Sequence, residues 1–187
     1  HQETDRPPYF IQLCPDAWEL LDKSGVTRGQ SQMDFLDNDV HELAVPWWTW
    51  SGLGKEWKRP DPPPGVPTVI GTGTYDKLEE SIKRIRGETD RYLLVLIYGS
   101  HFEKAYFCRG FENFLGDMAG DTEFARKLLG LIIEKNMVML ENILSIRGID
   151  GVLLGSDWGS QRGLLMAPEM WQDLIRPGEQ KEYDLIH

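Results

Sequence analysis

Short apolar runs alternate with amphipathic stretches along most of this chain, and this alternation limits the folds open to it. The runs at residues 9–13, 40–45, 92–98 and 151–154 have the length and composition of strands. Between them lie stretches whose apolar residues recur with helical spacing. Strands that alternate with helices predict a parallel sheet with crossover helices, so we expect an α/β fold.

The helical stretches carry recognisable start and stop signals. We predict helices over residues 17–23, 32–36, 76–86, 102–118, 122–146 and 168–187. Asp16 suits an N-cap, because its carboxylate can accept free backbone N–H groups, and Pro168 fits a first helical turn. Pro177 is expected to kink or break the last helix.

The segment from about residue 46 to residue 73 differs from the rest. It holds four tryptophans and six prolines, and that much proline excludes a regular helix or a central strand. We expect an ordered excursion over the top of the sheet. Its tryptophans either anchor the loop to the domain, which is the preferred interpretation, or form a ligand platform.

Size, charge and cysteine content exclude several classes of protein. The 187 residues are enough for one domain, and the net charge of −10 argues against binding nucleic acid or an anionic membrane. Charged residues interrupt the longest apolar stretch, residues 128–146, so no membrane span is expected. Two cysteines make no disulfide framework, which predicts a cytoplasmic protein. The chain begins without Met, and we expect a fragment of a longer protein.

Polar side chains follow the predicted strands where each one ends. In α/β barrels this carboxyl edge of the sheet binds ligands. Asp157 is a candidate acid, base or holder of a cationic group. The alternative is that the residues after the fourth strand only cap a loop and the next helix. The candidates, which suit a small polar or anionic ligand, are Gln12, Cys14, Asp16, Ser100, His101, Ser156, Asp157, Ser160, Gln161 and Arg162.

His101 is the only histidine at a predicted strand end. It is a candidate proton shuttle or metal ligand, although a lone histidine is more often a hydrogen-bonded structural residue. Cys14 is the only cysteine available to share a metal with it, and the pair lacks any zinc-binding spacing. We therefore expect no metal site within this chain.

Two motifs resemble the uroporphyrinogen decarboxylase superfamily. Residues 148–171 read GIDGVLLGSDWGSQRGLLMAPEMW and are followed by Ile175-Arg176-Pro177, while Arg109-Gly110-Phe111-Glu112 follows the sequence FEKAY. The resemblance covers most of residues 1–187, taken as one partial domain. It implies a (β/α)8 TIM-type barrel with its site at the carboxyl face, to which this chain contributes about four βα units, or half a barrel.

The superfamily contains two kinds of chemistry. The resemblance implies either a decarboxylase of porphyrin biosynthesis, which needs no cofactor, or a methyltransferase that uses zinc and a corrinoid protein. By this resemblance Tyr106 falls near a substrate-binding tyrosine, and Asp157 near a substrate-contacting serine of the decarboxylase. The decarboxylase holds carboxylates with arginines after its first strand. Here residues 12–16 read Gln-Leu-Cys-Pro-Asp, without arginine.

These departures favour methyl transfer involving a corrinoid protein. We expect Asp157 and Tyr106 to be catalytic, and six residues to bind a small-molecule substrate: Gln12, Ser100, His101, Ser160, Gln161 and Arg162. The His-x-Cys zinc motif of the methyltransferases is expected beyond His187. One alternative is a uroporphyrinogen-type decarboxylase, and another is a non-catalytic binding or interaction domain. A half barrel has open sheet edges, which a homodimer is one way to cover.

Overall fold

A computed structural model describes residues 7–44, 75–97 and 100–187, so the predicted excursion at residues 46–73 lies outside the described residues. The chain is mixed α/β and rich in helix, with a small parallel sheet. The elements in chain order are α1 Pro15–Lys23, α2 Gln32–Phe35, β1 Val40–Ala44, α3 Tyr75–Glu88, β2 Tyr92–Ile97, α4 His101–Arg109, α5 Phe111–Gly120, α6 Thr122–Leu144, β3 Gly151–Leu154, β4 Gly159–Ser160, β5 Gly163–Leu164, α7 Pro168–Met170, a π-helical turn Trp171–Ile175 and α8 Arg176–Ile186.

The main sheet confirms three of the four predicted strands. Its order is β1-β2-β3, and both neighbouring pairs are parallel, with Val95 of β2 opposite Leu43 and Val152. Alternate residues of the central strand are fully buried, namely Leu93, Val95 and Ile97. They pack against apolar residues of α3 and α6. Each connection between neighbouring strands therefore includes a helix that packs on the sheet.

The prediction of a strand at residues 9–13 is wrong. These residues do not pair with any strand of the described chain. Side chains just before β1 bind their backbone instead. Asn38 Oδ1 accepts the Ile11 N–H at 2.7 Å, and Asn38 Nδ2 donates to the Ile11 carbonyl at 2.9 Å. Asp39 Oδ2 accepts the N–H of Tyr9 at 2.9 Å. These side chains satisfy groups that a neighbouring strand would otherwise bind.

The single helix predicted over residues 102–118 is in fact two helices. Gly110 has φ +90, a conformation that ends α4 and that residues with a Cβ rarely adopt. The buried Arg109 guanidinium then pairs with Asp117 of α5, with Nε 2.6 Å from Oδ2. The sequence concealed this break because both helices present apolar residues to the same core, including Phe102, Phe114 and Met118.

The long helix α6 lies between two apolar clusters. Its Leu128 and Ile132 are fully buried against α4 and α5, while its Leu140 and Ile143 are buried against α3 and the sheet. α6 also packs on α8. Within the described ranges, no helix is both long enough and apolar enough to cross a membrane.

Of the two outcomes predicted for Pro177, a kink or a break, the structure contradicts the break, because the last helical region continues through this residue. Pro177 lies in the first turn of α8, directly after the π-helical turn Trp171–Ile175. A π-helical turn displaces the regular hydrogen-bond pattern, so the missing N–H of a proline is accommodated without ending the helix. α8 therefore continues to Ile186 and brings its acidic residues against α4 and α6.

Candidate functional site

The carboxyl ends of β2 and β3 lie side by side. Ile97 and Leu154 are register partners at the end of the ladder. The pairing then continues beyond the strands, since Gly155 N–H donates to the Ile97 carbonyl at 3.1 Å and Ser100 N–H donates to the Gly155 carbonyl at 2.9 Å. The segments that carry Ser100 and Asp157 therefore leave the same edge of the sheet, as the sequence predicted.

The two residues predicted to be catalytic both interact with Glu103. Glu103 Oε1 accepts the Asp157 N–H at 2.7 Å, and the Tyr106 hydroxyl, one helical turn along α4, also hydrogen bonds this carboxylate. Burial raises the pKa of Glu103 above its usual value, while these two hydrogen bonds oppose the rise. Asp157 itself is exposed. The buried Glu103 carboxylate thus holds the backbone of Asp157, whose own carboxylate is exposed.

Sequence reasoning missed Glu103. It lies three residues before Tyr106, so both residues share one face of α4, and that spacing was the available signal. Glu103 is flanked in sequence by Phe102 and Lys104, and nothing in the local pattern shows that it is fully buried.

Three predicted binding residues lie in a small hairpin that the sequence did not reveal. β4 and β5 pair antiparallel around a turn formed by Gln161 and Arg162. The Ser160 hydroxyl donates to the Gly163 carbonyl at 3.0 Å and accepts the Arg162 N–H at 3.2 Å. Ser160 therefore stabilises the turn. Gln161 and Arg162 are exposed beside it, and Gln12 is exposed on the segment before α1.

Ser100 and His101 are buried rather than open to the sheet edge. The Ser100 hydroxyl donates to Glu179 Oε1 of α8 at 2.9 Å. His101 Nε2 lies 3.0 Å from the carbonyl oxygen of Ile175, the last residue of the π-helical turn. The structure therefore places these two predicted substrate-binding side chains against the C-terminal helical region.

His101 belongs to a buried polar cluster, which consists of His101, Lys104, Asn136, Glu179 and Glu182 on α4, α6 and α8. Lys104 Nζ donates to Asn136 Oδ1 at 3.1 Å, and Asn136 Nδ2 donates to Glu182 Oε1 at 2.6 Å. The cluster thus links three helices through polar groups inside an otherwise apolar interior.

Burial shifts the pKa values of the cluster strongly. It lowers the pKa of His101 to about 3 and that of Lys104 to about 8. It raises the pKa of Glu182 to about 7 and also raises the pKa of Glu179. Each shift opposes the charged form, because the low-dielectric interior solvates ions poorly. The cluster was hard to predict from the sequence, since Glu179 and Glu182 stand among charged residues that resemble an exposed helix face.

An apolar pocket of about 250 Å³ adjoins the Asp157 loop. Trp158, the residue after Asp157, forms one wall, and Trp171 forms another, with the two ring centroids 5.2 Å apart. Met166 and Pro168 complete the apolar surface.

Comparison with known proteins found no matching family model, no matching curated protein and no matching solved structure.

Proposed function

We propose that this chain forms part of a (β/α)8 barrel of the uroporphyrinogen decarboxylase type and takes part in methyl transfer between a corrinoid protein and a thiol. The order β1-β2-β3 supports the barrel, because consecutive barrel strands are neighbours in the sheet. The open face of β3 also supports it. Leu153 lies on the face opposite α3 and α6 and is 42% exposed, as expected of a face that the remaining strands of a barrel would enclose.

The observation that carries the functional proposal is the contact of Glu103 with the Asp157 backbone. It anchors the loop after β3 to α4 at the edge of the sheet where barrel enzymes bind their substrates. A loop held in this way presents the exposed Asp157 carboxylate in a defined place. Tyr106 is half-buried on the same helix as Glu103, and its interaction with Glu103 holds its hydroxyl close to the Asp157 loop.

In the proposed reaction, these residues bind and orient the methyl acceptor. Asp157 accepts a hydrogen bond from the acceptor, and the neighbouring pocket of Trp158 and Trp171 binds its apolar part. Zinc would supply activation of the thiol, since thiolate is the nucleophile. The 187 residues contain no His-x-Cys triplet, so this chain does not provide that zinc motif, and no step here depends on it.

Two sequence features favour methyl transfer over decarboxylation. A substrate with several carboxylates needs cationic partners, and residues 12–16, where the decarboxylase has arginines, hold an acid, Asp16, and no arginine. At the sheet edge itself, the exposed Asp157 carboxylate would repel a carboxylate substrate.

The test is turnover by the protein at the full length that its gene encodes. Methylcobalamin and a panel of small thiols serve as substrates, with the corrinoid followed by absorbance and the thioether by mass spectrometry. We expect thiol-dependent loss of the corrinoid methyl group and matching formation of the thioether. Decarboxylation of uroporphyrinogen in its place would replace the proposal with the decarboxylase alternative. Turnover of neither substrate would favour a non-catalytic binding domain.

A further inference from the structure

Three hydrogen-bond acceptors face one another inside the buried polar cluster. His101 Nε2 lies 3.0 Å from the Ile175 carbonyl, and a carbonyl oxygen only accepts. Nε2 therefore carries the proton of the neutral ring, which leaves a lone pair on Nδ1. That lone pair lies 3.6 Å from Glu179 Oε1 and 3.9 Å from Glu182 Oε2.

These distances are too long for hydrogen bonds, even if one carboxyl group carries a proton. His101 and Glu182 are both 0% exposed, so water at the surface does not satisfy them. Within the described part of the chain, neither His101 Nδ1 nor Glu182 Oε2 has a hydrogen-bond partner. An arrangement of buried acceptors around a common point is what a cation would stabilise.

We propose that His101 Nδ1, Glu179 and Glu182 bind a divalent metal ion of the zinc class. The three ligand atoms lie within 4.8 Å of one another. Tetrahedral zinc with bonds of about 2.0–2.2 Å separates its ligand atoms by roughly 3.4 Å, so small side-chain rotations bring these atoms to binding distance. One imidazole with two carboxylates is a ligand set that zinc accepts.

The groups around these ligands hold them in the orientation that binding requires. The Ile175 carbonyl fixes the histidine tautomer, as such partners do for metal-binding histidines. The Ser100 hydroxyl donates to Glu179, and the Asn136 amide donates to the oxygen of Glu182 that faces away from His101. His101 and Glu182 each use one polar atom for this outer bond and direct the other at the common point, while Glu179 Oε1 both accepts the Ser100 bond and faces His101 Nδ1.

The charges of the cluster also favour a cation. Two carboxylates, Glu179 and Glu182, face the neutral ring of His101, and the one ammonium group of the cluster belongs to Lys104. Lys104 Nζ donates to Asn136, whose amide donates in turn to Glu182 Oε1, the oxygen not closest to His101. A divalent ion at the common point would neutralise the carboxylates directly.

A pocket of about 210 Å³ reaches His101, and Gly178 is among the other residues that line it. A Cβ at position 178 would lie only 2.7 Å from His101 Nε2, so the close approach of α8 to the histidine requires glycine. With three protein ligands, the fourth coordination position is left for water or a small ligand.

This site is independent of the proposed methyl transfer. It uses none of the residues of the His-x-Cys zinc motif, and its ligands are distinct from Asp157 and Tyr106. Failure of the methyl-transfer assay therefore leaves the metal site standing, and the converse also holds.

The experiment is a titration of metal-free protein with Zn²⁺ by calorimetry, with Co²⁺ absorption as a second readout. We expect one ion per chain with a dissociation constant below micromolar, and a rise in Tm with saturating Zn²⁺, because the ion binds the folded state. No binding at micromolar metal would contradict the proposal, and this wild-type result does not depend on any variant folding.

Glu182→Gln locates the site. The amide keeps the bond to Asn136 and can donate to His101 Nδ1, so the fold is retained while a charged ligand is lost. We expect affinity to fall at least 100-fold and the Zn²⁺-dependent rise in Tm to disappear. The matched control is Glu134→Gln on the exposed face of α6, which should bind as wild type does. Equal binding by Glu182→Gln would place the ion on the protein surface and overturn the assignment.

Discussion

Glu103 and Asp157 meet at 2.7 Å, where the buried carboxylate of α4 accepts the backbone N–H of the loop after β3. The two residues are 54 positions apart in sequence. This contact fixes the position of the Asp157 loop relative to the sheet edge. It also explains why a carboxylate is tolerated inside the core, since its charge is partly stabilised by donated hydrogen bonds.

Glu103→Ala should therefore lower the free energy of unfolding by about 1–3 kcal/mol, because it leaves the part-buried Asp157 N–H without its acceptor. Glu103→Gln keeps an acceptor oxygen and should retain most of the stability. Urea unfolding of both variants measures the difference. Equal losses for alanine and glutamine would show that the hydrogen bond contributes little.

Arg86 joins α3 to the amino ends of two strands. Its Nε donates to the Gly148 carbonyl at 2.8 Å and its Nη1 to the Arg91 carbonyl at 2.7 Å, while Nη2 pairs with Asp150. Arg86→Met should lower the free energy of unfolding by about 2–3 kcal/mol, since several charge-assisted bonds are lost together.

The matched control is Arg84, two residues before Arg86 on the same helix. Arg84 is 64% exposed and pairs only with Glu88 in the described residues, at 3.4 Å, so Arg84→Met should cost less than about 0.5 kcal/mol. Chemical denaturation of both variants checks the ranking. A loss for Arg84→Met as large as that for Arg86→Met would show that general helix charge, rather than this junction, is responsible.

Substitution by alanine should have opposite effects on stability at Gly110 and at Gly116. Gly110→Ala places a Cβ on a backbone with φ +90 and 3.1 Å from Asn113 Nδ2, so we expect a loss of about 1–3 kcal/mol. Gly116 lies inside α5 with open space around it, and Gly116→Ala should stabilise by about 0.5–1 kcal/mol. Thermal unfolding reports both signs. If Gly110→Ala were neutral, the break between α4 and α5 would not depend on this conformation.

The sequence predicted the parts of the fold that arise from local periodicity. The apolar runs of β1, β2 and β3 and the apolar stripe of α6 are visible in the sequence because burial imposes strands and helices with regular spacing. The error at residues 9–13 has a different origin. An apolar composition cannot show that Asn38, far along the chain, takes the backbone bonds a strand partner would make.

The candidate site was predictable only where residues follow strand ends. Asp157 was found in that way, whereas Glu103, Glu179 and Glu182 lie within helices among other charged residues. Their burial depends on how α4, α6 and α8 pack together, which is tertiary information. The same packing buries Ser100 and His101 against the C-terminal helical region, whereas the sequence predicted that they lie at the sheet edge.

His41 should make the fold sensitive to acid. It is half-buried in β1, and burial, aided by the nearby Arg91 and Arg84, lowers its pKa below the usual 6.5, although Asp34 and Glu88 oppose this. The unfolded chain then binds the proton at higher pH than the folded chain does. The stabilising contribution is therefore present above about pH 6.5 and is lost as the pH falls below it.

His41→Gln should accordingly lose less stability than wild type between about pH 7.5 and about pH 5.5. Urea unfolding at the two pH values provides the comparison. His187→Gln, at an exposed position, is the control and should follow the wild-type pH dependence. An acid-induced loss in His41→Gln as large as that of wild type would rule out this histidine as the cause.

The most direct test of the proposed function is the rate of methyl transfer from methylcobalamin by Asp157→Ala at the full length that the gene encodes. We predict a loss of about 100-fold or more with an unchanged Tm, because the exposed side chain orients the acceptor and carries little of the fold. Asp184→Ala, at an exposed acid of α8, should retain the wild-type rate. A wild-type rate in Asp157→Ala would contradict the proposed function.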